Sequence, residues 1–387
     1  VEAVYLDYAS TTPVDDRVAR RMADCLTRDG VFANPASRTH APGRAAANAV
    51  EQAREQVATA INGDPRGLVF TSGATEADNL ALKGVAGFQR DRGRHIVTAA
   101  NEHKAVLDVC RALEFDGFEV TRVQPRGDGT VTPESIEGAL RPDTVLVSVM
   151  HANNETGTIN DIGAIARVVR GHGARFHVDA AQTGARLELD VEALDLDLVS
   201  LSAHKTYGPK GIGALWVRRR PRVRLLPQMH GGGHEHGLRA GTLATHQIVG
   251  MGEAFALAQS ERDADRAHAE DLRARLFAQL DTLEGVRDNG AGAQRLPWTR
   301  NIAFTGVEGE ALAAALADRV AVATGSACTS ASTEPSYVLR AMGQPADQAA
   351  EAVRLSWGRM TTTEEMEHAA RTLVDTVSRL RHGAAVA

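Results

Sequence analysis

Short apolar runs alternate with segments of helical period through the first two-thirds of the chain. Leu68-Val69-Phe70, His95 to Thr98, Val145 to Met150, Phe176-His177-Val178-Asp179, Leu198 to Leu201 and Gly213 to Val217 have the length and composition of buried strands. Between them, Val50 to Ile61, Thr75 to Val85, Ala105 to Leu113 and Ile162 to Arg170 repeat apolar positions at helical spacing. Such alternation predicts an α/β fold with a mostly parallel central sheet and helices on both faces. A different pattern begins near Phe255. AFALAQSERDADRAHAEDLRARLFAQLDTL reads as one long charged helix to Leu283, bridging to a smaller α+β domain. That domain takes in Asn301 to Phe304, a helix over Gly309 to Leu316 and a closing helix over Thr363 to Arg381. The expected organisation is an N-terminal arm (1–14) packing with the small domain, a large domain (15–258) and a small C-terminal domain (259–387).

Composition narrows the class. A chain of 387 residues exceeds one simple core and suits two domains that share a cleft. Charged residues make up 24% and the net charge is −6, so no global field draws the chain to nucleic acid or to an anionic membrane. The basic run Arg218-Arg219-Arg220 is the solvated end of a strand. No apolar stretch reaches membrane-spanning length, and VEAVYLDYASTTP lacks the basic start and apolar core of a secretory signal. Cys25, Cys110 and Cys328 are odd in number and show no metal spacing, which fits a reducing cytoplasm and no metal site. Only four lysines occur, Lys83, Lys104, Lys205 and Lys210, against many arginines. A Schiff base needs an amine that can lose its proton, which arginine cannot do.

The candidate chemistry lies at the carboxyl ends of the predicted strands, where ligands bind in such sheets. In Ser202-Ala203-His204-Lys205-Thr206-Tyr207-Gly208-Pro209-Lys210-Gly211, a strand delivers Ser-x-His-Lys into a Gly/Pro-rich loop. A lysine so placed can hold pyridoxal phosphate (PLP), with Ser202 and His204 on the phosphate; two solvated lysines on a surface turn would be the bland alternative. His177-Val178-Asp179-Ala180-Ala181-Gln182 ends a strand in a carboxylate able to pair with a protonated pyridine nitrogen, and Gln182 can reach the ring's phenolic oxygen. Strand-end aspartates are common as caps, but the distance along the chain to Lys205 favours the pairing. Ser72-Gly73-Ala74-Thr75-Glu76 offers a phosphate the N–H groups of a helix start, with Glu76 as a cap. His103, in Asn101-Glu102-His103-Lys104, can stack on a ring and move protons; Asn153-Asn154-Glu155 can orient ligands or simply build a turn. Cys328 stands in Thr324-Gly325-Ser326-Ala327-Cys328-Thr329-Ser330-Ala331-Ser332, among small polar residues. A thiol there can enter a pocket and swing outward, whereas Cys25 and Cys110 sit in apolar runs. Arg354, in VRLSWGR, can grip a carboxylate with its fork or form an ordinary ion pair.

With TSGATEADNLALKG, NEHKAVLD, HANNETG, HVDAAQ, SAHKTYGPKGIGAL, HGGGHEHGLRAGT and TGSACTSASTEPSYVLRAMG in hand, the chain resembles the cysteine desulfurases of the NifS/IscS type, in the class V aminotransferase superfamily of PLP enzymes. The resemblance covers nearly the whole chain and implies fold type I. It implies that Lys205 carries PLP, that Asp179 and Gln182 hold the ring with His103 stacked on it, and that Ala74, Thr75, Ser202 and His204 bind its phosphate. Thr242, in RAGT, would reach the phosphate of a neighbouring subunit, which implies a homodimer. Asn154 and Arg354 would hold the carboxylate of L-cysteine, and Cys328 would take the sulfur as a persulfide for an acceptor protein. Iron–sulfur cluster assembly, tRNA thiolation and DNA phosphorothioation all use enzymes of this kind. Selenocysteine lyases and small-amino-acid aminotransferases are the nearest alternatives, and a scaffold without turnover is a remoter one. The chain departs from the common pattern at His236 and Ala240, where Arg and Ser are expected.

Overall fold

The computed structural model describes residues 3–325 and 334–384. Its centre is a seven-stranded sheet in the order Leu68–Thr71, Gly213–Val217, Leu198–Ser202, Arg175–Asp179, Thr144–Met150, His95–Ala99, Glu119–Val123. All neighbours run parallel except that Gly213–Val217 opposes both of its own. The segment from Ser202 to Gly213 is shorter than the dozen or more residues that a parallel crossover needs, so the chain must return antiparallel. That short return carries Lys205 and Lys210.

Successive strand residues split between two cores, as the twofold period of a strand requires. Phe70, Val97, Val147 and Val178 pack with the helices Ala41–Ala60, Ile162–His172 and Thr245–Ser260. Val69, Ile96, Leu146 and Leu198 face Ala74–Gln89 and Lys104–Phe115 on the other side. Both faces are therefore covered, as the apolar runs predict.

A second, antiparallel sheet has the order Ala323–Thr324, Ala352–Ser356, Thr299–Phe304, Val286–Asn289. Leu272 and Leu276 of helix Arg262–Leu280 and Leu373 and Val377 of helix Thr363–Ala384 share a core with Trp298 and Trp357. Near the N-terminus, Val4–Tyr5 pairs parallel with Val320–Ala321, and Asp7 bridges to Ser356. The chain then crosses to the central sheet, where Thr12 N–H donates to His204 O at 2.8 Å.

The long helix expected over Phe255 to Leu283 is two helices, Thr245–Ser260 and Arg262–Leu280, meeting at Glu261 with φ −103° and ψ 6°. Neither Gly nor Pro marks the break. Tertiary ion pairs make it: Arg17 and Arg359 both hold the Glu261 carboxylate, and the chain turns there to keep them. The helix expected from Val50 starts earlier, at Ala41, because His40 Nδ1 accepts from Gly43 N–H at 3.1 Å and Pro42 occupies the first turn. Among the described residues no helix is long and apolar enough to cross a membrane, and no group of three or more His, Cys, Asp or Glu is placed to hold a metal ion.

Candidate active site

Seven segments converge on one cavity of ≈ 530 Å³ at the carboxyl ends of the parallel strands. Ala74, Thr75, His103, Asn154, Asp179, Gln182, His204, Lys205 and Arg354 all line it. Nine positions singled out in the sequence are thus brought together in space. Ser202 is buried and does not line the cavity, and Thr242 is exposed away from it. Cys328 lies outside the described residues.

The floor on one side is the turn between Thr71 and helix Ala74–Gln89. A Cβ on Gly213 would lie 2.6–2.7 Å from backbone atoms of Gly73, so glycine at 213 is what lets this turn approach the neighbouring strand. The helix start is held by Glu76, whose carboxylate accepts from Ser72 N–H at 2.6 Å and pairs with Arg239 at 2.8 Å. Two buried polar atoms close by, Ser202 Oγ and His204 Nδ1, have no hydrogen-bond partner among the described residues. Burial, reinforced by Lys205 and Lys210, lowers the His204 pKa to about 4, so the ring is neutral and can donate one hydrogen bond. A helix N-terminus with unsatisfied hydroxyl and imidazole groups beside it is an anion cradle.

Asp179 ends its strand with Oδ1 accepting from Ala181 N–H at 2.8 Å, and Gln182 Nε2 donates to Ala9 O at 3.0 Å. His103 caps helix Lys104–Phe115, its Nδ1 accepting from Ala105 N–H at 3.1 Å. That contact assigns the neutral tautomer: the proton sits on Nε2. Burial, then the Lys205 charge, lowers its pKa and keeps it neutral. The ring as held donates from Nε2, and it can accept a proton only by giving up the Ala105 contact.

Arg354 is already engaged. Its Nη1 donates to Asn154 O at 3.0 Å, and Nη2 donates to Asp7 Oδ1 at 2.7 Å and Ser10 Oγ at 2.8 Å. Its Nε and Asn154 Oδ1 are both buried without a partner among the described residues. A carboxylate entering here finds the Nε donor unpaired, shares Nη1 with Asn154 O, and must compete with Asp7 and Ser10 for Nη2. Sequence reasoning missed this role for the N-terminal residues; Ala9, Ser10 and Thr11 line the cavity, yet their segment carries no periodicity that could reveal it. It also missed Asp78, whose only sequence clue is a carboxylate between Ala77 and Leu80 on an otherwise apolar helix face. His236 and Ala240, the departures noted above, do not line this cavity. His236 has a left-handed φ of 57° in a glycine-rich turn, and Ala240 is buried.

Residues 4–368 match the model of the class V aminotransferases, and the chain belongs to that family. Within it, the similarity narrows to one kind of enzyme. The chain is 59% identical over 378 residues to the cysteine desulfurase IscS of Pseudomonas aeruginosa (strain UCBPP-PA14), covering 98% of this chain and 93% of that protein. A solved NifS-like protein superposes with a TM-score of 0.91 at 36% identity, covering 98% of this chain and 100% of the other. The structure of SspA in complex with cysteine superposes with a TM-score of 0.81 at 37% identity, covering 92% of this chain and 98% of that one.

Proposed function

We propose that this chain is a PLP-dependent cysteine desulfurase, which converts L-cysteine to L-alanine and holds the sulfur on Cys328 as a persulfide. The observation that carries the reading is a single cavity that joins an amine (Lys205), a strand-end carboxylate (Asp179), an unsatisfied anion cradle and a guanidinium. These residues fit PLP group by group. Ala74, Thr75, Ser202 and His204 would hold the phosphate, Asp179 the ring nitrogen, and Gln182 the phenolic oxygen. His103 would lie against the ring, and Lys205 would bond to its aldehyde carbon. When bound, the cofactor supplies an electron sink for the charge left at the substrate Cα. Lys205 Nζ would take the Cα proton and hold it for return. Asp179 keeps a proton on the ring nitrogen, and Arg354 with Asn154 fixes the substrate carboxylate. His103, which lines the cavity, would have its Nε2–H available to a ligand there. Cys328 thiolate then attacks the substrate sulfur, so that an S–S bond forms as the Cβ–S bond breaks.

Thr242 is exposed and away from this cavity, which supports the reading that it completes the site of a second subunit in a homodimer. The sulfur acceptor would be a protein that docks on the surface, without direct nucleic-acid or membrane contact, in the cytoplasm. The proposed boundaries of 1–14, 15–258 and 259–387 draw support from the separate cores beneath the two sheets.

The PLP-loaded protein, given L-cysteine and a thiol reductant, is expected to yield alanine and sulfide in equal amounts. A keto acid in place of alanine would instead establish an aminotransferase. The Arg354 assignment has its own consequence. Arg354→Lys keeps the charge but loses the fork, so KM for L-cysteine should rise by roughly 10- to 100-fold, the worth of one charge-assisted hydrogen bond. Steady-state kinetics check this, and an unchanged KM rules the contact out.

A further inference from the structure

Four polar side chains form a layer inside the molecule where a helix packs on the sheet. His177 Nδ1 lies 2.9 Å from Ser148 Oγ on one neighbouring strand, and His177 Nε2 lies 2.9 Å from Ser200 Oγ on the other. Asp78, from helix Ala74–Gln89, approaches with Oδ1 3.6 Å from the same His177 Nε2. Ser148, His177 and Ser200 are 0% exposed and Asp78 is 1% exposed. Neither Asp78 oxygen meets hydrogen-bond geometry with a partner among the described residues. An ionised carboxylate left so would carry the full desolvation penalty of an unpaired buried charge. Packing alone would favour an apolar residue at this position. Asp78 and Asp179 both line the cavity, and Asp179 follows His177 by two residues, on the same face of its strand.

The charged and titratable groups that act on Asp78 come from every element around it. Asp179 and His177 lie on one strand, Glu102 in the turn after His95–Ala99, and Lys205 in the loop after Leu198–Ser202. Burial lowers the His177 pKa to about 4, so the ring is neutral and brings no positive charge. Burial first, then the Asp179 carboxylate, raises Asp78 well above the usual carboxylate range, while the Ser200 hydroxyl and Lys205 offset only part. A carboxyl so buried, with no cation in hydrogen-bond contact and a second carboxylate acting on it, is held in its protonated form.

We propose that Asp78, set beside His177, is a positioning residue that keeps its own proton, leaving Asp179 as the carboxylate that would face the ring nitrogen. Asp78 then acts through Asp179, and the Ser148–His177–Ser200 row fixes where it sits. The inference rests on the cofactor reading above.

The test compares wild type, Asp78→Asn and Asp78→Leu in two ways. Holoenzymes are titrated by the visible absorbance of the bound cofactor, and cofactor-free proteins are compared by infrared spectroscopy of the carboxyl stretch. Asn preserves a neutral polar group, so its absorbance profile should overlay that of wild type. Leu removes the group that faces Asp179, and its profile should move by about one pH unit. The infrared difference between wild type and Asp78→Asn at neutral pH should show the loss of one protonated-carboxyl band; Glu102, also buried and raised by burial, contributes equally to both and cancels. A shift in Asp78→Asn as large as in Asp78→Leu, or no infrared difference, would mean that Asp78 is ionised and would overturn the proposal. Unmoved profiles in both variants would leave Asp78 a packing residue and overturn it equally. A wild-type protein with no visible cofactor band would instead sink the cofactor reading, while the infrared comparison would still show whether Asp78 holds the proton.

Discussion

Cys328→Ala is expected to lower alanine formation from L-cysteine by at least about a thousandfold while leaving the visible cofactor band in place, since removal of a nucleophile disables every step that depends on it. The proposed transfer balances as cysteine plus enzyme thiol giving alanine plus enzyme persulfide. The Cβ–S bond is reduced to C–H, and the sulfur it releases is oxidised into the S–S bond. The added thiol reductant then frees sulfide from the persulfide. Only a thiolate can attack the substrate sulfur, and the structure removes the other two cysteines from contention. Cys110 is fully buried against helix Ala74–Gln89, and burial pushes its thiol up to about 12. Burial likewise raises Cys25, and neither residue lines the cavity. A thiol with so high a pKa is almost wholly protonated at neutral pH. Alanine quantified over time, with a one-sulfur mass increase sought on the Cys328 peptide, checks the expectation. Alanine formed by the variant at the wild-type rate would remove Cys328 from the mechanism.

Lys205→Ala is expected to abolish turnover, by at least about a thousandfold, together with the covalent hold on the cofactor. Both losses would follow from one atom, because in the proposed mechanism the same Nζ would hold the cofactor and would afterwards carry the Cα proton. The cavity contains a second lysine, Lys210, so the assignment needs a direct reading. Lys205 is partly buried on the short return between Leu198–Ser202 and Gly213–Val217, whereas Lys210 is exposed. Borohydride reduction of the wild-type holoenzyme should therefore fix the cofactor mass on the peptide that contains Lys205 and leave Lys210 unmodified. Label on Lys210, or normal turnover in Lys205→Ala, would transfer the role.

Where the sequence is locally self-consistent, it points to residues that the structure brings into one cavity. SGATE lies between a buried strand and an apolar-periodic helix, HVDAAQ closes a strand, and SAHK opens a glycine-rich return; each can be read from neighbours a few residues away. The parts that stay hidden depend on distant partners. Nothing near Ser10 announces that it meets Arg354, a contact across 344 positions. The turn at Glu261 is invisible for the same reason, since its cause is a pair of arginines from opposite ends of the chain. The Glu119–Val123 strand escapes notice because it is an edge strand, only partly buried, with Glu119, Thr121 and Arg122 where a buried strand would be apolar. Asp78 escapes because one carboxylate does not disturb the periodicity of an otherwise apolar helix face.

The salt bridge between Asp7 and Arg354 joins residues 347 positions apart. During synthesis at roughly 5 to 20 residues per second, Asp7 leaves the ribosome roughly 20 to 70 seconds before Arg354 does. For the last roughly 7 to 30 seconds of that interval, the nascent chain already carries Asp179 and Lys205, the residues proposed to hold the cofactor, but not Arg354. On the proposed roles, the order of synthesis would place the cofactor residues before the substrate grip, which would be completed only when Arg354 emerges.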